Sequence, residues 1–179
     1  DGNTNQALDV SIGTDPTYVE VANTDAIDIG IGEFVYSVLL GIDDLESDRE
    51  ILHKGSADDA WYNLSLNGDA LSLTIDDGTD ETSLVVDELS EHLYDTSWNH
   101  IAAIRDRVQD SLFLYVNHYI VGSTMDNSVN IGSTLPLNIG DADTKIDGIF
   151  DEIRLYNEPI SLLDLQTLSR SYGIKKPYI

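Results

Sequence analysis

A two-residue rhythm, broken at short intervals by turn-forming residues, limits this chain more than any other feature. Residues 7–12, 18–21, 33–40, 50–54, 61–66, 70–75, 82–86, 98–105, 111–116, 119–123, 135–139 and 148–156 all have strand length and strand character. Alternate residues of a strand share one face, so such segments must each bury one side. Asn67-Gly68 and Asp77-Gly78 supply the turns, because a tight hairpin favours residues that tolerate positive φ. Asn67 and Gly68 are expected as the two central residues of theirs. Many short strands at this spacing predict an all-β fold: a two-sheet antiparallel sandwich of jelly-roll type. One short C-terminal helix is expected over Leu162–Arg170. Ser161 would cap it, Asp164 would close a capping box, and Gly173 would stop it. Leu162, Leu165 and Leu168 would form its packing stripe.

The 179 residues suit a single domain, with its core over about residues 7–170. The longest apolar run, Phe34–Ile42, is far too short to cross a bilayer, so no membrane insertion is expected. The chain starts at Asp1 and reads as a processed or excised piece of a longer product. It contains no cysteine, which excludes disulfides and thiolate chemistry. Thirty-three Asp and Glu face nine Lys and Arg, for a net charge of −24. Such a surface repels nucleic acid and anionic lipid.

Within "FDEIRLYN", residues 150–157, strict alternation places Asp151 with Ile149, Ile153 and Leu155 on what looks like the core face. A buried carboxylate must be protonated, hydrogen-bonded, paired or metal-bound. Backbone N–H groups or Arg105 could satisfy it. Calcium also fits, since it takes six to eight oxygens including backbone carbonyls. The loop "DADTKID" carries Asp141, Asp143 and Asp147 at calcium-like spacing but puts a lysine at position 5, so a solvated acidic loop is the reading preferred.

The ordered pieces "QALDV", "YVEV", "FVYSVLLG", "ILHKG", "WYNLSLNG", "SWNHIAAIRD", "LFLYVNHYIVG", "PLNIGD" and "GIFDEIRLYNEPIS" resemble the laminin-G-like, concanavalin-A-like jelly rolls of bacterial secreted proteins. The resemblance implies two sheets, one of them concave. It implies a structural Ca2+ held by Asp151, with backbone carbonyls of Asp1, Gly2 and Asn3. It also implies a core position for Trp98. Asn117-His118 departs from the Asp-Gly or Asn-Gly usual in that hairpin, so a wider turn or another type is expected there.

Members of this fold include binding modules, adhesion domains and glycan-cleaving enzymes, so fold alone does not fix function. Glu46, Asp48 and Glu50 have the E-x-D-x-E spacing of one glucanase group, but Ser47 and Arg49 replace the apolar residues between them. "GIG" at 30–32 lacks the third glycine of a nucleotide loop, and no G-x-S-x-G elbow occurs. His53, His92, His100 and His118 lack zinc-ligand spacing. Trp61 and Tyr62 are adjacent and must point to opposite faces. With Tyr119, they are the aromatic residues expected to contact a ligand. The resulting expectation is a non-catalytic, secreted or surface-displayed module. It would bind a glycan or a protein surface, possess one structural calcium, and belong to a larger multidomain or multisubunit assembly. The alternative is an architectural domain of a surface or virion assembly without a sugar site. A glycoside hydrolase or polysaccharide lyase is the third reading.

Overall fold

A computed structural model describes residues 8–9, 18–42, 45, 48–93, 98–140 and 149–174. The chain runs through β1 (Leu8–Asp9), β2 (Val19–Val21), β3 (Phe34–Gly41), β4 (Asp48–Gly55), β5 (Trp61–Asn67) and β6 (Ala70–Asp76). It continues through β7 (Glu81–Val86), β8 (Trp98–Asp106), β9 (Ser111–Val116), β10 (Tyr119–Met125), β11 (Leu137–Ile139), β12 (Ile149–Tyr156) and α1 (Leu162–Ser171). Sheet I has the order β1-β12-β3-β8-β9-β10, and sheet II the order β2-β11-β4-β5-β6-β7. All pairings are antiparallel. The two sheets form the expected sandwich.

Between them lies one core. Tyr36, Val38 and Leu40 of β3 and Ile101 and Ala103 of β8 meet Tyr62, Leu64 and Leu66 of β5 and Leu71, Leu73 and Ile75 of β6. Full burial of one such aliphatic side chain contributes about 1.5–3 kcal/mol. A smaller cluster, Val35, Ala102, Tyr115 and Leu165, sits on the outer face of sheet I beneath α1. β3 is therefore covered on both faces, which explains why "FVYSVLL" is buried throughout and apolar but for Ser37 instead of alternating. Ser161 caps α1 by accepting from the Asp164 amide at 3.1 Å. Leu165 and Ser169 are the buried helix residues, while Leu162 is exposed, so the predicted leucine stripe is rotated away from the sheet.

Two buried cations fasten the loops at one end of the sandwich. Lys54 donates to Asn23 Oδ1, Ser133 O and Leu135 O at 2.6–2.9 Å, which uses all three of its hydrogens. Arg105 donates from Nε to Asp126 Oδ2 at 2.8 Å, and from its other nitrogens to the carbonyls of Gly30, Gly32, Ser128 and Val129. Burial pushes the Asp126 carboxyl up, but the Ser128 hydroxyl and amide together with Arg105 bring it below the usual carboxylate range.

Two sequence expectations need local correction. Of the two alternatives for the Asn117-His118 turn the second holds: it is no wider, but only Asn117 has positive φ, so it is of another type than an Asn-Gly turn. Gly68 and Asp69, not Asn67 and Gly68, are the central residues of the β5–β6 turn, because Asn67 pairs with Ala70 and Gly68 alone has positive φ. Asn117-His118 does form a two-residue connection, since Val116 pairs with Tyr119. Asn117 takes the left-handed conformation at φ 56°, and its side chain bonds the His100 amide and the His92 carbonyl. Trp98 is 39% exposed and lies opposite Gly41 on the outer face of sheet I, not in the core. Its strand directs Asn99, Ile101 and Ala103 inward, so Trp98, His100 and Ala102 point outward, and α1 covers only part of that face.

Candidate functional site

Asp151 lies on the outer face of sheet I, opposite Leu39, and not on the core face. The cause is a bulge between Asp151 and Arg154, where Glu152 has φ 51°. One extra residue in a strand reverses the parity of every residue after it. Phe150 is buried in the core before the bulge, and Ile153 and Leu155 pack against the core after it. The half-buried Asp151 accepts from the Glu152 amide at 2.7 Å. Arg105, its suggested partner, bonds Asp126 instead. Asp1, Gly2, Asn3 and the Asp141, Asp143 and Asp147 loop lie outside the described residues. Among the described residues, no three His, Asp or Glu converge in a way that could hold a metal.

The three expected contact aromatics do not form one site. Tyr62 is 1% exposed and stacks on Phe34 inside the sandwich at 5.5 Å, so it is a core residue. The parity of β5 decides this: Tyr62, Leu64 and Leu66 point in. Tyr119 lies in sheet I beside the β9–β10 turn, its ring 5.2 Å from that of His92. Trp61 points out of sheet II.

Around Trp61 the register of sheet II builds a polar grid. One row runs Glu20, Asn138, His53, Asn63, Thr74, Ser83 across six strands. A second runs Gly55, Trp61, Asp76, Glu81, and a third Glu50, Ser65, Ser72, Val85. Directly opposed side chains start about 4.5–5.5 Å apart, so these rows form a continuous surface. The His53 and Trp61 rings stack at 6.1 Å and 20°. His53 Nε2 bonds the Gly55 carbonyl at 3.0 Å, so that nitrogen carries the hydrogen. Its other nitrogen faces Glu50 Oε2 at 3.9 Å. Asn63 donates to the same Glu50 oxygen at 2.5 Å. Ser65 pairs with Ser72 at 2.8 Å, and Thr74 with Ser83 at 3.0 Å. Asn138 Oδ1 is shielded and has no hydrogen-bond partner among the described residues.

Gly55 keeps the Trp61 end of the grid open. It has φ 97°, and a Cβ there would lie 2.1 Å from the Ala60 carbonyl oxygen and 2.7 Å from Trp61 Cα. A side chain at 55 would displace the tryptophan's own backbone. Sequence reading found Trp61 but missed His53, Asn63, Glu50 and Asn138. Parity along each strand was the available signal, but the register joining residue 138 to residues 53 and 63 was not.

Of the glucanase-spaced acids, Asp48 and Glu50 lie on β4 and Glu46 is outside the described residues. β4 starts at Asp48, two residues before the predicted strand, and Glu50 is already bonded to Asn63. A second concavity of about 400 Å³ lies at the sandwich rim, lined by Asp28, Gly30, Ile31, Asp59, Asn130, Gly132, Ser133 and Thr134.

Two six-stranded antiparallel sheets, with one open polar face, define a jelly-roll domain of the lectin-like type. The chain belongs to the concanavalin A-like lectin/glucanase superfamily, whose laminin-G profile matches residues 13–166. No curated protein matches the sequence. Among solved structures, the binding domain of Paraclostridial Mosquitocidal Protein 1 is similar, with a TM-score of 0.75 and 14% identity over 93% of this chain and 43% of that one. The botulinum neurotoxin DC binding domain in complex with rat synaptotagmin II gives 0.68 and 14% over 90% and 41%. The same domain in complex with SialylT gives 0.66 and 14% over 90% and 41%. The chain thus spans about two-fifths of the length of each of these structures.

Proposed function

We propose that this chain is a non-catalytic, extracellular or surface-displayed binding module. Its ligand is a glycan, and the open face of sheet II is the binding surface. The observation that carries this reading is Trp61, stacked on His53 and standing on an outward grid of amide, hydroxyl and carboxylate groups. Sugars present apolar C–H faces and rings of hydroxyls, so they match an aromatic surface flanked by planar polar side chains. The similar toxin domains are named as binding domains, and one of them carries SialylT, which favours the same kind of work here. Another carries a protein, synaptotagmin II, and this favours a protein surface as the second reading.

A glycan array followed by titration tests the proposal. Trp61→Ala is expected to weaken binding of the best saccharide at least about tenfold, or about 1.4 kcal/mol. Its melting temperature should stay close to that of the parent, because Trp61 lies outside the core. A soluble, folded chain that binds no sugar on the array would instead support the architectural or protein-binding role. Release of reducing ends from polysaccharide would overturn the non-catalytic reading.

A structural calcium at Asp151 belongs to the same proposal. One Asp151 oxygen accepts from the Glu152 amide, and among the described residues the other has no hydrogen-bond donor. β1 pairs with β12, Leu8 opposite Phe150, so the backbone of Leu8 lies one strand position from that of Asp151. EDTA is then expected to lower the melting temperature, and excess Ca2+ to restore it. An identical transition with and without chelator removes calcium from the account.

A further inference from the structure

Among the described residues, the Asp, Glu, Lys and Arg charges on the Trp61 face have one sign, with His53 the one base beside them. Asp76 is the cross-strand neighbour of Trp61, and Glu81 is the neighbour of Asp76. The indole is thus followed by two carboxylates at successive strand spacings. Glu50 and Glu20 add negative charge in the adjoining rows. No described Lys or Arg points out of this face. Arg49 and Lys54 of β4 are 0% exposed. Arg105 belongs to the buried hub of sheet I at 1% exposure. Arg107, in the turn after β8, and Arg154, on β12, are ion-paired elsewhere. Arg170 is on α1.

An aromatic face beside carboxylates is the arrangement that attracts an organic ammonium: the ring offers its negative face, and the acids offer charge-assisted hydrogen bonds. An anionic sugar would meet four acids here and no guanidinium, which a carboxylate or sulfate on the ligand would need. The hydroxyls and amides of the remaining grid, Asn63, Ser65, Ser72, Thr74 and Ser83, suit the sugar's own hydroxyl groups.

We infer that the Trp61 face selects a cationic glycan, one built of unacetylated amino sugars whose protonated amines sit between the indole and the Asp76 and Glu81 carboxylates. This rests on the glycan-binding reading above and names the ligand class for that site. It also predicts that sialylated and sulfated glycans are excluded.

Calorimetric titration of the whole chain tests it, at mildly acidic pH where the sugar amines are charged. The probes are a glucosamine hexamer, its fully N-acetylated counterpart, a neutral glucose hexamer and a hexalysine peptide. The glucosamine hexamer is expected to bind at least about tenfold tighter than the acetylated and neutral hexamers. That preference should shrink to nearly nothing in the Asp76→Asn, Glu81→Gln double variant, and fall strongly in about 1 M salt. Asn at 76 keeps an oxygen for the Gly78 amide that Asp76 Oδ1 now accepts, so the β6–β7 turn is preserved. Trp61→Ala should abolish binding of all three sugars. Equal binding of neutral and amino-sugar hexamers would overturn the charge selection and leave the glycan reading standing. No binding of any hexamer would overturn the inference, and the glycan array above then decides whether the glycan reading stands. Hexalysine binding as tightly as the glucosamine hexamer, and indifferent to Trp61→Ala, would show bare charge attraction and overturn the inference.

Discussion

Replacing Arg105 with methionine is expected to lower the unfolding free energy by about 3–5 kcal/mol, which for a chain of this size means a fall in Tm on the order of 10 °C. The side chains of Arg105 and Asp126 are both 0% exposed. Removing the guanidinium leaves the Asp126 carboxylate buried with only the Ser128 amide and hydroxyl and the more distant Arg107 at 3.4 Å. The carbonyls of Gly32 and Val129 lose the guanidinium donor in the same step, while those of Gly30 and Ser128 are left with the Ile131 amide and Arg107. Lysine would not rescue this, because a single ammonium with three hydrogens cannot reach acceptors spread around a planar fork.

The measurement is urea unfolding, read as a shift of the midpoint at constant slope. Adding Asp126→Asn to Arg105→Met should recover part of the loss, because the stranded charge is then gone. The loss should be nearly independent of ionic strength, since salt screens buried pairs poorly. A loss below about 1 kcal/mol, the range of surface pairs, would mean that Arg105 does not hold the rim loops. Amide exchange would report the same event locally. Residues 126–133 and 28–32 should open first, while the central strands β3, β5 and β6 stay protected.

The strands and the helix cap were legible in the sequence because their causes are local. Period-two alternation, turn residues and the Ser161–Asp164 box each act over a few residues. What could not be read depends on partners distant in the chain. Alternation assigned Asp151 inward, and a single positive-φ residue, Glu152, reversed it. No side-chain pattern announces such a bulge. Trp61 and Tyr62 had to face opposite ways, but only the sheet stacked on Phe34 decides which one is buried. The core position of Trp98 is what the family resemblance implies, whereas its exposure depends on how far α1 reaches across sheet I. The grid around Trp61 was illegible for the same reason. Asn138 stands beside His53, and Glu20 beside Asn138, only after β11 is inserted between β2 and β4.

Acidification from pH 6.5 to pH 4 is expected to cost about 3 kcal/mol of stability through His100 alone. The imidazole is 0% exposed. Its Nε2 bonds the Ser37 hydroxyl at 2.8 Å, and its Nδ1 has no partner. Edges or faces of Tyr115 and Tyr172 meet it at 5.5 and 5.6 Å. Burial lowers its pKa to about 4, with the positive Arg154 and the neighbouring His118 pushing the same way. Below pH 6.5 the unfolded chain therefore takes up a proton that the folded chain refuses, so stability falls with pH until the folded pKa is reached, and then levels off. At about 1.4 kcal/mol per pH unit, that interval gives the stated loss. Relief of carboxylate repulsion in a chain of net charge −24 acts in the opposite direction over the same range. The depressed carboxyls Asp77, Asp106 and Asp126 lose their stabilisation only below the usual Asp value, outside this window. The two contributions separate in the difference between the parent and His100→Gln, whose amide can still bond Ser37 but does not titrate there. That difference should slope by close to one proton between pH 6 and 4.5. Because Tyr172 caps the C-terminal end of α1, amide exchange in residues 162–172 should accelerate in the parent over the same range. A flat difference curve would show that His100 is charged, or solvated, in the folded protein.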